Sequence, residues 1–240
     1  MTSTGPAVCE VWWAGVPDAA PAHLERLLSP PERARLDGLR RGRDRARFVV
    51  GVALTRLVAG ARLGTAPDRV AIDRTCPDCP RPHGKPCLRG TGIGLSVSHS
   101  AGKVVLAVAD VPQVGVDVER VALDRPIQAM AARVLARPEL AQLRRLGEDG
   151  HGFTRYWTRK EALLKATGDG LRVAMRALTV SAPDEPPRLL DWVGRPELTS
   201  RFALRDLDPG EGYAAALAVA GARDPVVVET DAGPLLAGRA

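Results

Sequence analysis

Apolar positions along the chain follow two spacings, one typical of strands and one of helices. Val8 to Trp13 reads as a first strand. Short helices are expected over Pro21 to Leu28 and Pro31 to Leu39, each opened by a proline whose fixed φ suits a first helical turn. From Arg43 to Ala61, the residues Phe48, Val49, Val52, Leu54, Leu57 and Val58 recur at helical spacing and leave the arginines largely on another face. Residues 75–94, rich in proline, glycine and cysteine, predict a loop. Leu95 to Val97 and Lys103 to Ala109 read as strands around a turn at His99 to Gly102. The break at Asp110 to Pro112 divides the chain into halves 1–112 and 113–240. Beyond it Val114 to Glu119 alternates strictly. Helices are expected over Ile127 to Ala136, Glu139 to Leu146 and Gly152 to Ala166, the last stopped by Gly168 and Gly170. Four short strands follow, around Ala177–Val180, Arg201–Leu207, Tyr213–Val219 and Val226–Glu229. Each half mixes helices with antiparallel-looking strands, an α+β pattern.

Composition narrows the class. The 240 residues are 45% hydrophobic and 26% charged, the profile of a globular protein with a real core. An apolar run such as Val104 to Ala109 is far too short to span a bilayer, so no membrane partner is expected. The opening MTSTGPAVCEVWW has no basic region followed by an apolar core, so the expected location is cytoplasmic. Four cysteines in that compartment are expected as reduced thiols or metal ligands. The net charge of +6 is concentrated: Arg26 to Arg62 holds ten arginines against three acids. Such a segment implies an anionic partner, whether phosphates, nucleic acid or an acidic protein.

Four stretches carry candidate chemistry. In Gly115-Val116-Asp117-Val118-Glu119 the two carboxylates share one face of a strand, roughly 7 Å apart, while Val114, Val116 and Val118 face the core. Carboxylates so placed repel unless a cation lies between them, and hard oxygen donors suit Mg²⁺. An edge strand with a solvated acidic face is the plain alternative. On the helix Trp157-Thr158-Arg159-Lys160-Glu161-Ala162-Leu163-Leu164-Lys165, Trp157, Glu161 and Lys165 form one stripe with Lys160 beside it. An exposed Glu–Lys pair would look the same, although Trp157 favours a half-buried stripe. Ser96-Val97-Ser98-His99-Ser100 could hydrogen-bond a phosphate or simply cap its own turn. A Ser–His–Asp hydrolase is a poor fit, since Ser98 and His99 are neighbours pointing different ways and no G-x-S-x-G elbow is present. The arginine-rich helix from Arg43 to Arg56 is either a phosphate-binding face or a solvated one.

The order of these motifs is distinctive. SHS, then GVDVE, then WTRKEALLK resembles the surfactin-synthetase-type (Sfp-like) 4'-phosphopantetheinyl transferases. These carry a G-[IV]-D-[IV]-E strand and a W-x-x-K-E-x-x-x-K helix a few tens of residues apart. The arginine helix and the Gly84-Lys85-Pro86 turn also match, and the resemblance runs from about Ser29 to Leu171. It implies two similar α+β halves related by a pseudo-twofold, with coenzyme A in the cleft between them. It further implies Mg²⁺ on Asp117, Glu119 and Glu161. Lys165 and His99 would contact the pyrophosphate, supported by Ser98 and with Lys160 alongside. Lys85 and Pro86 would lie against the adenine, and Arg47 and Arg35 would hold the 3′-phosphate. The implied reaction is attack of a serine of an apo acyl or peptidyl carrier protein on the β-phosphorus, with 3′,5′-ADP leaving. Glu161 is the candidate base; Asp117 or a metal-bound hydroxide could serve instead, and Lys165 would complete the catalytic set.

Two departures from the family pattern stand out. A position often basic in relatives falls on Glu32. Cys76, Cys79, His83 and Cys87 lie within twelve residues and could bind Zn²⁺, although prolines at 77, 80, 82 and 86 stiffen the same loop and favour a metal-free reading. A basic nucleic-acid-binding protein with a Cys/His knuckle would explain the arginines but leave GVDVE and the WTRKEALLK helix as coincidences. An inactive coenzyme A- or carrier-binding relative is disfavoured by the presence of all three carboxylates and both lysines. The duplicated organisation favours a monomer.

Overall fold

A computed structural model of the chain describes residues 7–121, 127–147, 150–221 and 224–238. The first half runs β1 (Val8–Gly15), α1 (Ala22–Glu25), α2 (Pro30–Asp37), α3 (Gly42–Leu63), β2 (Gly94–Ser100) and β3 (Lys103–Ala109). The second runs β4 (Val114–Arg120), α4 (Ile127–Val134), α5 (Arg137–Arg145), α6 (Gly150–Thr167), β5 (Leu178–Val180), β6 (Leu189–Trp192), β7 (Phe202–Leu207) and β8 (Tyr213–Ala220). β9 (Val226–Asp231) and α7 (Gly233–Leu236) follow.

The halves repeat one connectivity. In each, a strand leads through short helices to a long helix, then to a hairpin whose second strand returns beside the first. Thus β1 pairs antiparallel with β3 and β4 with β8, giving sheet orders β2-β3-β1-β9 and β4-β8-β7. This duplicated α+β arrangement is the one expected. The closing strand is different: β9 pairs in parallel with β1, Val8 opposite Val226, and so belongs to the first sheet. A division of the chain at 112/113 therefore assigns β9 to the wrong half. The open edge of β1 supplied a ladder partner that no local pattern announces.

Period-two alternation explains the layering. On β3, Val104, Leu106 and Val108 pack with Val49, Val50, Ala53 and Leu54 of α3. Val105, Ala107 and Ala109 face the other way, into a core shared with Val114, Val116, Val118, Leu217 and Val219 of the second sheet. Burial on both faces is why 104–109 reads as an unbroken apolar run. On the far side of the second sheet, Tyr156, Leu163 and Leu164 of α6 pack with Leu204, Ala216 and Ala218.

Glu32 acquires a structural reason. Its Oε2 accepts from the Ser29 backbone N–H at the start of α2 and from Arg56 Nε, both at 2.8 Å. Arg56 is buried and also donates to the carbonyls of Pro67 and Val70. An acid at position 32 thus caps one helix and neutralises a buried cation from the next.

Candidate active site

The two sheets meet along β2 and β4, and serine side chains join them there. Ser96, Ser98 and Ser100 lie on one face of β2. Ser96 Oγ accepts the Val116 backbone N–H at 3.0 Å, and Ser100 Oγ accepts that of Arg120 at 3.1 Å. Ser98 and Ser100 donate to the carboxylates of Asp117 (2.7 Å) and Glu119 (2.6 Å). The turn expected over His99 to Gly102 is narrower: the strand continues through Ser100, and the reversal falls at Ala101 and Gly102, with Ala101 at a positive φ of 48°. The strand's hydroxyls are turned toward the other half rather than toward water.

The opposite alternation on β4 sends Gly115, Asp117 and Glu119 toward α6. The helix crosses the strand at Gly115 with almost no separation: a Cβ there would lie 2.0 Å from the Ala162 carbonyl oxygen and 2.4 Å from the Ala166 nitrogen. One pleat along, Asp117 meets Lys165, whose Nζ donates to Asp117 Oδ1 (2.7 Å), Ser98 Oγ (2.7 Å) and the Val116 carbonyl (3.2 Å). Asp117 is 2% exposed, yet its second oxygen, Oδ2, is buried with no hydrogen-bond partner among the described residues. Glu161 lies near enough to feel both other carboxylates. Burial first, then the charges of Asp117 and Glu119, hold its carboxyl above the usual range, and Lys165 opposes them.

The donor set is all oxygen, and one buried acceptor is left over. An isolated buried carboxylate oxygen costs on the order of 1–3 kcal/mol, which a cation would recover. These residues fit a hard divalent ion such as Mg²⁺.

On the other face of β2 stand the cationic groups. His99 is held below the ordinary histidine range, first by the surrounding protein's screening of its ring from water and then by the charges of Arg47, Lys165 and Arg35. Arg47 donates to the Ala101 carbonyl at 3.1 Å and pairs with Asp44, while its buried Nε has no partner among the described residues. Arg35 lies over the Phe48 ring and lines a concavity together with Arg74, Arg81 and His83. Arg74 was not legible in the sequence. Burial and the nearby Arg35 and Arg56 push its ionisation down, which marks a site short of negative charge. A second concavity, sharing His83, is lined by Lys85, Pro86, Lys165 and Arg172.

Lys85 reaches across the junction, donating to the carbonyls of Val114 and Ala166 at 2.9 Å each. It thereby caps an otherwise orphan carbonyl at the end of α6. Burial lowers its pKa to about 8. Its amine is engaged by the second half, leaving the stem to line the cleft.

Lys160 requires a correction. Expected to contact the coenzyme, it is fully buried on the back of α6, where it is paired with Glu139 and donates to the carbonyls of Val134 (3.1 Å) and Leu178 (2.8 Å). One helical step from Glu161 is a rotation of about 100°, which carries it from the cleft into the core. Arg159 beside it is likewise buried, against Asp206 and the carbonyls of Ser181 and Ala182. Lys160→Met should leave Glu139 as an uncompensated buried charge and destabilise the fold by about 3 kcal/mol or more. Urea melts should register that loss, and adding Glu139→Gln should return much of it; a loss of coenzyme affinity at unchanged stability would contradict the assignment.

Of the four residues that could bind Zn²⁺, Cys76, Cys79 and His83 come together, and Cys87 does not. The backbone of Cys87 is held between Asp73 and Gly94.

Comparison with known proteins agrees with this geometry. Residues 113–218, the segment carrying the carboxylates and α6, match the family model described as the 4'-phosphopantetheinyl transferase superfamily. The 4'-phosphopantetheinyl transferase HetI of Nostoc is 31% identical over 211 residues, covering 85% of this chain and 84% of its own. A phosphopantetheinyl transferase from Thraustochytrium is 29% identical, covering 85% of this chain and 76% of its own. A putative 4'-phosphopantetheinyl transferase of Synechocystis is 29% identical, covering 67% and 64%. The chain belongs to the 4'-phosphopantetheinyl transferase superfamily and is a transferase that moves phosphopantetheine from coenzyme A to carrier proteins.

Proposed function

We propose that the reaction takes place across the β2–β4 junction, with the pyrophosphate of coenzyme A between the carboxylates of the second half and the cations of the first. The observation that carries this reading is the unpartnered, buried Asp117 Oδ2 beside two more carboxylates and a lysine. Asp117, Glu119 and Glu161 would hold Mg²⁺, which when bound supplies charge neutralisation for the pyrophosphate oxygens.

The chain's own residues do the rest. Lys165 spends its three N–H bonds on Ser98, Asp117 and Val116, so an arriving phosphate oxygen must replace one of them. His99 and Arg47 would face the phosphates from the other side of β2. Arg35, joined by Arg74, would receive the 3′-phosphate, and the Lys85 stem with Pro86 would form the adenine wall. The pantetheine arm would leave past Glu119 along the apolar surface of Ile127, Met130, Phe153 and Trp157. The carrier serine oxygen forms a bond to the β-phosphorus as the bond to 3′,5′-ADP breaks, and the serine proton passes to the Glu161 carboxylate.

The two-half organisation and the W-x-x-K-E-x-x-x-K helix support placement in the Sfp-like class, acting as a cytoplasmic monomer on acyl or peptidyl carriers. No helix among the described residues is long and apolar enough to cross a membrane. Intact-mass spectrometry of apo carrier proteins tests the reading. With coenzyme A and Mg²⁺ the expected gain is one phosphopantetheine, about 340 Da, abolished by EDTA. Transfer that persists in excess EDTA would remove the metal from the site.

A further inference from the structure

The motif that the transferase site does not absorb is the cysteine- and histidine-bearing loop before β2. Gly84 donates to the Arg74 carbonyl at 2.9 Å, closing the base of the loop, and the two strands of chain pass so tightly that a Cβ on Gly84 would lie 2.2 Å from the Thr75 oxygen. Residues 75–83 contribute no side chain to any hydrophobic core cluster. The loop therefore needs another source of order, and its prolines supply only part of it.

Within that closed loop the three soft donors converge. The ligand atoms of Cys76, Cys79 and His83 all lie within 4.8 Å of one another, with Cys79 Sγ 2.9 Å from His83 Nε2. Ligands on a tetrahedral zinc sit about 3.4–3.8 Å apart, as follows from metal–ligand bonds of about 2.0–2.3 Å, so small side-chain adjustments complete the geometry. The Asp78 backbone N–H donates to Cys76 Sγ at 3.4 Å, which holds that sulfur toward the other two donors. Two sulfurs and an imidazole select a borderline-soft ion, in contrast to the all-oxygen set at Asp117.

We propose that Cys76, Cys79 and His83 bind a structural zinc ion, with water in the fourth position, and that this ion fastens the loop as one wall of the coenzyme cleft. Cys76 and His83 line the same concavity as Lys85 and Lys165, and Asp78 at the loop tip pairs with Arg172 of the second half at 3.5 Å. The ion thus holds the chain immediately preceding Lys85, whose amine bridges the halves.

The test does not depend on transferase activity. Full-length protein, purified under reduction without added metal, should carry about one zinc per chain by elemental analysis. Cys79→Ser should lose it, and Cys87→Ser should keep it. The cobalt(II)-substituted protein should show a sulfur-to-cobalt charge-transfer band of unchanged intensity in Cys87→Ser. If Cys79→Ser does not fold, a mercurial thiol reagent added to the wild type should release the zinc to a metallochromic dye. Wild-type protein that holds no zinc and gives no such band on cobalt addition would overturn the proposal. A band weakened in Cys87→Ser would overturn the ligand set. Either result leaves the transferase assignment standing.

Discussion

Asp117→Asn is expected to fold normally and to lose about a thousandfold in kcat/KM, on the order of 4 kcal/mol of transition-state stabilisation. The asparagine keeps the planar shape and retains Oδ1, the atom that accepts from Ser98 and Lys165. It replaces the unpartnered Oδ2 by an amide and removes one of the negative charges raising Glu161. In EDTA the variant should therefore melt at the same temperature as the wild type or higher. The wild type should gain stability when Mg²⁺ and coenzyme A are added together, by ordinary binding linkage, and the variant should gain little. Loss of activity without loss of stability is the outcome that separates a metal ligand from a structural acid. An Asp117→Asn protein that transfers at near-wild-type rates would sink the metal assignment.

Gly115→Ala should be the most damaging single methyl group in the molecule. The clash is with helix backbone, the Ala162 oxygen at 2.0 Å and the Ala166 nitrogen at 2.4 Å, so no rotamer change can relieve it. Either α6 lifts away from β4 or the strand bends into the shared core of Val114, Val116 and Val118. A cost of about 3 kcal/mol or more is expected. For a chain of this size that corresponds to a drop of about 6–12 °C in the melting temperature. Any surviving folded protein should be nearly inactive, because lifting α6 separates Glu161 and Lys165 from Asp117. Thermal melts paired with a single-turnover transfer assay would check both effects, and a wild-type melting temperature would show that the close approach is not required. The glycine that opens the GVDVE motif is thus explained by packing: it sets the distance at which the carboxylates meet the lysine.

Much of this was readable from local pattern. The strictly alternating β4 and the long α6 lie where the periodicity puts them, because alternation and helical spacing are properties of the chain's own geometry. The placement of Asp117 and Glu119 on one face of β4, opposite the buried valines, follows from the same geometry. The stripe Trp157, Glu161, Lys165 follows from helical spacing alone. The coenzyme contact expected of Lys160 does not hold, because a lysine reads as a surface group until a buried Glu139 is known to face it. Ser100 reads as part of a turn because a hydroxyl there could simply cap its own backbone. Only the second sheet, arriving from elsewhere in the chain, supplies the acceptors at Asp117 and Glu119.

What the sequence by itself determined is most of the elements, β6 and α7 not among them, and the side chains each one presents, since both depend on neighbours a few residues away. Tertiary structure alone decided which presented faces meet. It brought β9 back to the open edge of β1, turned Lys85 from a loop residue into a bridge between halves, and gathered Arg74 with Arg35 in one basic hollow. It also left one oxygen of Asp117 buried and unpaired among the described residues, a local cost that the rest of the fold sustains. Pairings of this kind join residues tens of positions apart, and their energies depend on burial and on the charge of the partner, neither of which is carried by local spacing.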